Sequence, residues 1–119
     1  MCGLTYNNNQ ILLHLVKSIN TTGHIALRLD GNSMSPALPS GTDIRIIKYP
    51  INDIAEGDII AILFQNSSHF IIHRVIHILV KNGNRVFVTK GDNNSSLDPH
   101  PVYPGNYVGL VQITRKPHI

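Results

Sequence analysis

Residues 69–80 read His69-Phe70-Ile71-Ile72-His73-Arg74-Val75-Ile76-His77-Ile78-Leu79-Val80. As a helix, this stretch would line its three histidines along one face and invite a shared metal ion. It is dense in β-branched residues, however, and these suit a pleated strand better than a helix. On a strand, successive histidines stand about 13 Å apart at roughly 3.3 Å per residue. They are then too far apart to share an ion whose ligands lie at about 2 Å, so neither a metal site nor a cofactor is expected. The strand places His73 and His77 on one face with Ile71 and Val75, and Phe70, Ile72, Arg74 and Ile76 on the other. A histidine on an apolar strand face is either a satisfied core residue or a base held in a water-poor position. A partner is needed to decide between them.

Outward from this stretch, the neighbouring segments also have strand character: His24–Asp30, Asp43–Tyr49, Asp58–Phe64, Arg85–Thr89 and Tyr107–Thr114. Turn-rich clusters separate them at 32–42, 65–68, 81–84 and 91–105. Ahead of them, Ile11, Leu12, Leu15, Val16 and Ile19 fall on one arc of a 3.6-residue period, with Asn9 as a candidate N-cap and Gly23 as a stop. The expected fold class is mainly β: a small antiparallel folded sheet or barrel of about six hairpin-joined strands, with one N-terminal amphipathic helix. Residues 1–119 read as a single domain, with 1–9 flexible, 10–22 helical and 24–115 the β core.

The 119 residues are 42% hydrophobic and 14% charged, with a formal net charge of +3. Such a balance excludes a disordered chain. The basic excess is dispersed, without a basic run or a stripe of interleaved aromatics, so no nucleic-acid partner is expected. Cys2 is the single cysteine, which rules out an internal disulfide. An N-terminal nucleophile at Cys2 would require a far larger fold. Neither a secretory leader nor a membrane span is legible. The longest aliphatic–aromatic run, Ile59–Phe64, has six residues against the roughly 20 of a spanning helix. The expectation is a soluble, cytoplasmic chain, with association at a membrane periphery left open and the oligomeric state unspecified.

Partners for His73 exist in two turns. Gly31-Asn32-Ser33-Met34-Ser35-Pro36 follows a strand and opens a bend. A serine there can project its hydroxyl while nearby backbone N–H groups point at a developing oxyanion; an ordinary serine-rich turn would read the same way. Lys90-Gly91-Asp92-Asn93-Asn94, followed by Asp98-Pro99, supplies carboxylates that could orient a histidine or simply make Asx turns. The chain order Ser, His, Asp is the one a nucleophile, base and orienting acid would need.

Taken together, these residues resemble type I signal peptidases and their relatives, a group that includes self-cleaving repressor domains. The likeness is greatest to the archaeal and endoplasmic-reticulum branch, in which a histidine replaces the bacterial lysine as base. It rests on Gly31–Pro36, Gly57-Asp58-Ile59-Ile60-Ala61-Ile62, His73-Arg74-Val75-Ile76, and Thr89–Asn94 with Asp98, in that order. Asn106-Tyr107-Val108-Gly109 resembles the closing strand. The resemblance implies that Ser33 is the nucleophile, His73 the base, Asp98 the group orienting the imidazole, and Asp92 a support of the site. It makes the Ser33 N–H the main oxyanion donor, near Gly31 and Asn32, and has Met34 and Pro36 shape the substrate cleft. The substrate would be an extended peptide or precursor protein, bound as an added strand and cut after a small residue.

Two departures accompany the likeness. Only a short helix precedes the serine, where family signal peptidases carry a membrane anchor, and Gly41-Thr42-Asp43 stands where the family has glycine directly before aspartate. The competing readings are a self-processing regulatory domain and a non-catalytic peptide-binding module. No helix-turn-helix pair fits ahead of Ser33 for the former, and retention of Ser, His and Asp argues against the latter.

Overall fold

The computed structural model describes residues 8–65 and 67–117. One helix, α1 (Asn8–Thr22), precedes six strands: β1 (His24–Arg28), β2 (Asp43–Ile47), β3 (Ile59–Ile62), β4 (Ile71–Lys81), β5 (Asn84–Lys90) and β6 (Tyr107–Arg115). All six expected strands are present and every pairing is antiparallel. The helix starts earlier than expected, so Asn9 lies inside it instead of capping it. Of the segment expected to be flexible, residues 1–7, including Cys2, lie outside the described residues, while Asn8 and Asn9 are helical.

The strand order is β1-β2-β6-β3-β4-β5. The sheet is open, not a closed barrel, with β1 and β5 at its edges. Hairpins join β1 to β2, β3 to β4, and β4 to β5, but β6 inserts between β2 and β3. A complete set of hairpins was therefore the wrong expectation. Residues 48–58 and 91–106 make long connections instead, and the second of these contributes to the site.

Apolar clusters cover both faces of the central strands. One gathers Ile19 of α1 with Met34, Leu38, Ile44, Ile46, Ala61, Ile72 and Val111. The other joins Ile54, Ile60, Ile62, Val75, Phe87 and Val102. Because β3 sends Ile60 and Ile62 to one cluster and Ala61 to the other, it has no solvent face. That explains the unbroken apolar run there, where a one-sided strand would alternate. Full burial of such a side chain contributes about 1.5–3 kcal/mol. In α1, Leu12 and Ile19 are buried whereas His14 and Lys17 face outward, the amphipathic arrangement expected. Among the described residues, no helix is long and apolar enough to cross a membrane.

The register of β4 breaks between Val75 and His77, where Ile76 is an extra residue opposite β5. Ile71, Val75 and Ile78 consequently pack into the same cluster. His77, expected on the face of His73, is turned to the other side, because one inserted residue reverses the alternation beyond it.

Candidate active site

Ser33 lies in the turn between β1 and β2. Gly31 opens this turn at φ +104°, a backbone conformation open to glycine at no steric expense. Met34 anchors the turn from beneath. Its side chain is 1% exposed within the first apolar cluster, and its Sδ accepts the Asp92 N–H at 3.3 Å. Met34 can therefore act on a cleft only from below, whereas Asn32 and Pro36 are exposed. The altered spacing at Gly41-Thr42-Asp43 is absorbed locally. Thr42 is fully buried and donates its hydroxyl to the Pro39 carbonyl at 2.6 Å, while the Leu29 N–H donates to the Thr42 carbonyl at 2.8 Å.

His73 stands on the buried half of β4 and is 9% exposed. Its Nε2 lies 3.2 Å from Ser33 Oγ and its Nδ1 lies 2.5 Å from Asp98 Oδ2. A carboxylate can only accept, so these partners assign the ring proton to Nδ1 and leave Nε2 to accept the Ser33 hydroxyl proton. Serine, histidine and aspartate, forty and twenty-five residues apart, thus form one continuous chain of hydrogen bonds.

The segment after β5 closes around this chain. The Asn93 N–H donates to the Ser33 carbonyl at 2.8 Å, and the Asn93 side-chain amide donates to the Asn32 carbonyl at 3.1 Å. Asp92 does not touch the serine or the imidazole. It receives a two-pronged bond from Arg74, at 2.9 and 2.7 Å, and Arg74 also donates to the Gly57 carbonyl at 2.8 Å. The Arg74 guanidinium holds the Asp92 carboxyl below its ordinary pKa, chiefly through these hydrogen bonds, and Arg74 is raised in return. The ion pair fastens the segment carrying Asp92 to β4 beside His73.

Gly91 is the closest approach in the site. The β4–β5 ladder pairs Val75 with Thr89 and Arg74 with Lys90, so its continuation brings Gly91 opposite His73 on the same face. A Cβ at Gly91 would lie 3.0 Å from His73 Nε2 and 2.8 Å from the Ser33 carbonyl oxygen. Only a residue without a side chain lets these three segments meet.

Every sequence-predicted site residue thus falls in one neighbourhood, with Ser33, His73 and Asp98 in direct contact and Asp92 behind them. The sequence reading assigned no role to three residues that matter here: Arg74, which holds Asp92; Gly91; and Thr89, whose hydroxyl donates to Asp98 Oδ2 at 2.8 Å. All three belong to the matched stretches, but their contacts depend on strand pairing and are invisible in a linear sequence. An open groove of about 350 Å³ has Leu27, Leu29, Asp30, Phe70 and Ile72 among its walls. It borders the residues just ahead of Ser33 and His73.

No protein-family model matches the chain. Over 75 residues it is 31% identical to signal peptidase I W of Bacillus subtilis (strain 168); the aligned stretch covers 62% of this chain, and the chain spans 39% of that relative's length. At a coarse level this is a signal peptidase-like relationship.

Proposed function

We propose that this chain is a serine endopeptidase of the signal peptidase type, in the branch that uses histidine as its base. The observation that carries the reading is the unbroken contact from Ser33 Oγ through His73 to Asp98. A core histidine is satisfied by any acceptor for its N–H and any donor to its other nitrogen. This one has a hydroxyl on one nitrogen and a carboxylate on the other.

The reaction follows from those positions. Ser33 Oγ attacks the carbonyl carbon of the scissile bond as its proton passes to His73 Nε2. Asp98 keeps the ring oriented and stabilises the imidazolium that forms. The negative charge on the former carbonyl oxygen is met by the Ser33 N–H, which donates to no backbone acceptor among the described residues. Collapse breaks the C–N bond, and His73 returns the proton to the leaving amine. Water, deprotonated by the same imidazole, then hydrolyses the Ser33 ester and restores the hydroxyl. The groove lined by Leu29, Phe70 and Ile72 would take part of the extended substrate, and the exposed Gly31, Asn32 and Pro36 of the serine turn would meet the rest.

The test is cleavage of a diverse peptide mixture, read by mass spectrometry, for the wild type beside Ser33→Ala. New termini following small residues are expected in the wild type, with a loss of at least about 10³-fold in the variant. Full cleavage by a folded Ser33→Ala protein would overturn the proposal. No cleavage by either would point to a peptide-binding module.

A further inference from the structure

The ladder that pairs Val75 with Thr89 makes His73, two residues back along β4, a diagonal neighbour of Thr89 on the same sheet face. Such positions are about 7–8 Å apart, and the Asp98 carboxylate lies between these two. Its Oδ2 accepts from His73 Nδ1 and, at 2.8 Å, from Thr89 Oγ1, so two donors converge on one oxygen. Thr89 holds the same residue through the main chain as well: the Asp98 N–H donates to the Thr89 carbonyl at 2.9 Å. Thr89 is 1% exposed, and a buried hydroxyl requires a partner. Asp98 is the partner the fold provides.

The main-chain bond sets where the Asp98 backbone lies, but leaves its side chain free to turn. At 18% side-chain exposure, the carboxylate could swing toward water. The other charged groups nearby do not prevent this. Arg74 of β4 is committed to Asp92, and Lys90 of β5 donates to the Gly91 carbonyl. Among the described residues, His73 and Thr89 are the side chains that donate to Asp98. We propose that Thr89 is a positioning residue, its hydroxyl holding the Asp98 carboxylate in the orientation that accepts from His73 Nδ1. The consequence for rate rests on the peptidase reading above; the orientation itself does not.

Thr89→Val removes the hydroxyl while keeping shape and β-branching, and Thr89→Ser keeps the hydroxyl. Two readouts are followed in the full chain. The first is the far-downfield proton resonance of His73 Nδ1–H, assigned by its disappearance in Asp98→Ala. The second is kcat and KM on a peptide that the wild type cleaves. In Thr89→Val the resonance should vanish or move upfield. Its kcat should fall about tenfold or more, the ratio for losing a hydrogen bond to a charged group, with KM unchanged. Thr89→Ser should restore both. A wild-type resonance in folded Thr89→Val, or failure of folded Thr89→Ser to restore it, would overturn the assignment. Should Thr89→Val not fold, Thr89→Ala against Thr89→Ser makes the same comparison. Because the resonance needs no turnover, its loss in a protein that cleaves nothing would uphold the positioning role and refute the peptidase reading.

Discussion

His73 and His77 stand four residues apart on one strand, in opposite surroundings. His73 is 9% exposed, on the part of β4 flanked by both β3 and β5, with a partner on each ring nitrogen. His77 lies beyond the bulge, where β4 pairs with β5 alone. Its side chain is 61% exposed and its nearest charged partner, Glu56, is 4.0 Å away. Residue type and strand are the same, so the difference comes from the neighbours. Flanking strands exclude water from His73 and bring two loops to its ring, while a single inserted residue turns His77 away from them.

The sharpest way to break this comparison is to replace each histidine in turn. His73→Gln should lower peptide cleavage by about 10³-fold or more, the scale of losing a member of a nucleophile–base set. His77→Gln should leave it within twofold or so, since an exposed substitution away from the site has little to disturb. Steady-state cleavage of one peptide by both variants, each checked for folding by circular dichroism, decides the matter. Equal losses would mean that the two histidines are not distinguished by their surroundings.

Glycines sharpen the comparison at a smaller scale. Gly91→Ala puts a methyl 3.0 Å from His73 Nε2 and 2.8 Å from the Ser33 carbonyl oxygen. The three segments must part, with an expected activity loss of about tenfold or more, as misplacement by a fraction of an ångström separates the reacting groups. Gly105→Ala meets nothing within 4 Å and should be neutral. Turnover and thermal midpoint of the two variants measured side by side would show whether close approach, rather than loss of glycine as such, matters.

The smallest effect concerns the ion pair behind the site. Arg74 lowers the pKa of Asp92, so Asp92 binds protons less readily in the folded chain than in the unfolded one. Its contribution to stability is present above the unfolded value of about 3.9 and is lost as pH falls through the lowered folded value. Asp92→Asn should therefore melt below the wild type at neutral pH, and the gap should narrow as pH falls below about 4. A gap that stays constant across an acid titration of the thermal midpoint would show that the Asp92 charge contributes nothing there. Asp43, half-buried beside the exposed Arg28, is a useful control, because solvent weakens such a pair.

Much of this molecule was legible before any coordinates. The β-branched run at 69–80 argued for a strand, the period of Ile11–Ile19 argued for a helix, and turn clusters placed the strand ends within a few residues. Ser33, His73, Asp92 and Asp98 were singled out by the order of their motifs, Ser33, Asp92 and Asp98 in turn-forming patterns and His73 in the β-branched run. The bulge at Ile76 was not legible, since nothing in the alternation of apolar residues marks the residue that will lack a partner. Nor was the insertion of β6 between β2 and β3, which closes long-range pairs that no local propensity encodes.

Local chemistry thus determined the elements and the residue types available for a site: side-chain branching, period and turn residues act over a few positions along the chain. Tertiary pairing alone decided which groups meet. Register sets Gly91 opposite His73 and Thr89 on its diagonal, and the return of residues 91–98 brings Asp98 to Nδ1 while Ser33 reaches Nε2. Hydrogen bonds act over about 3 Å, and only the folded sheet brings residues forty positions apart to that distance.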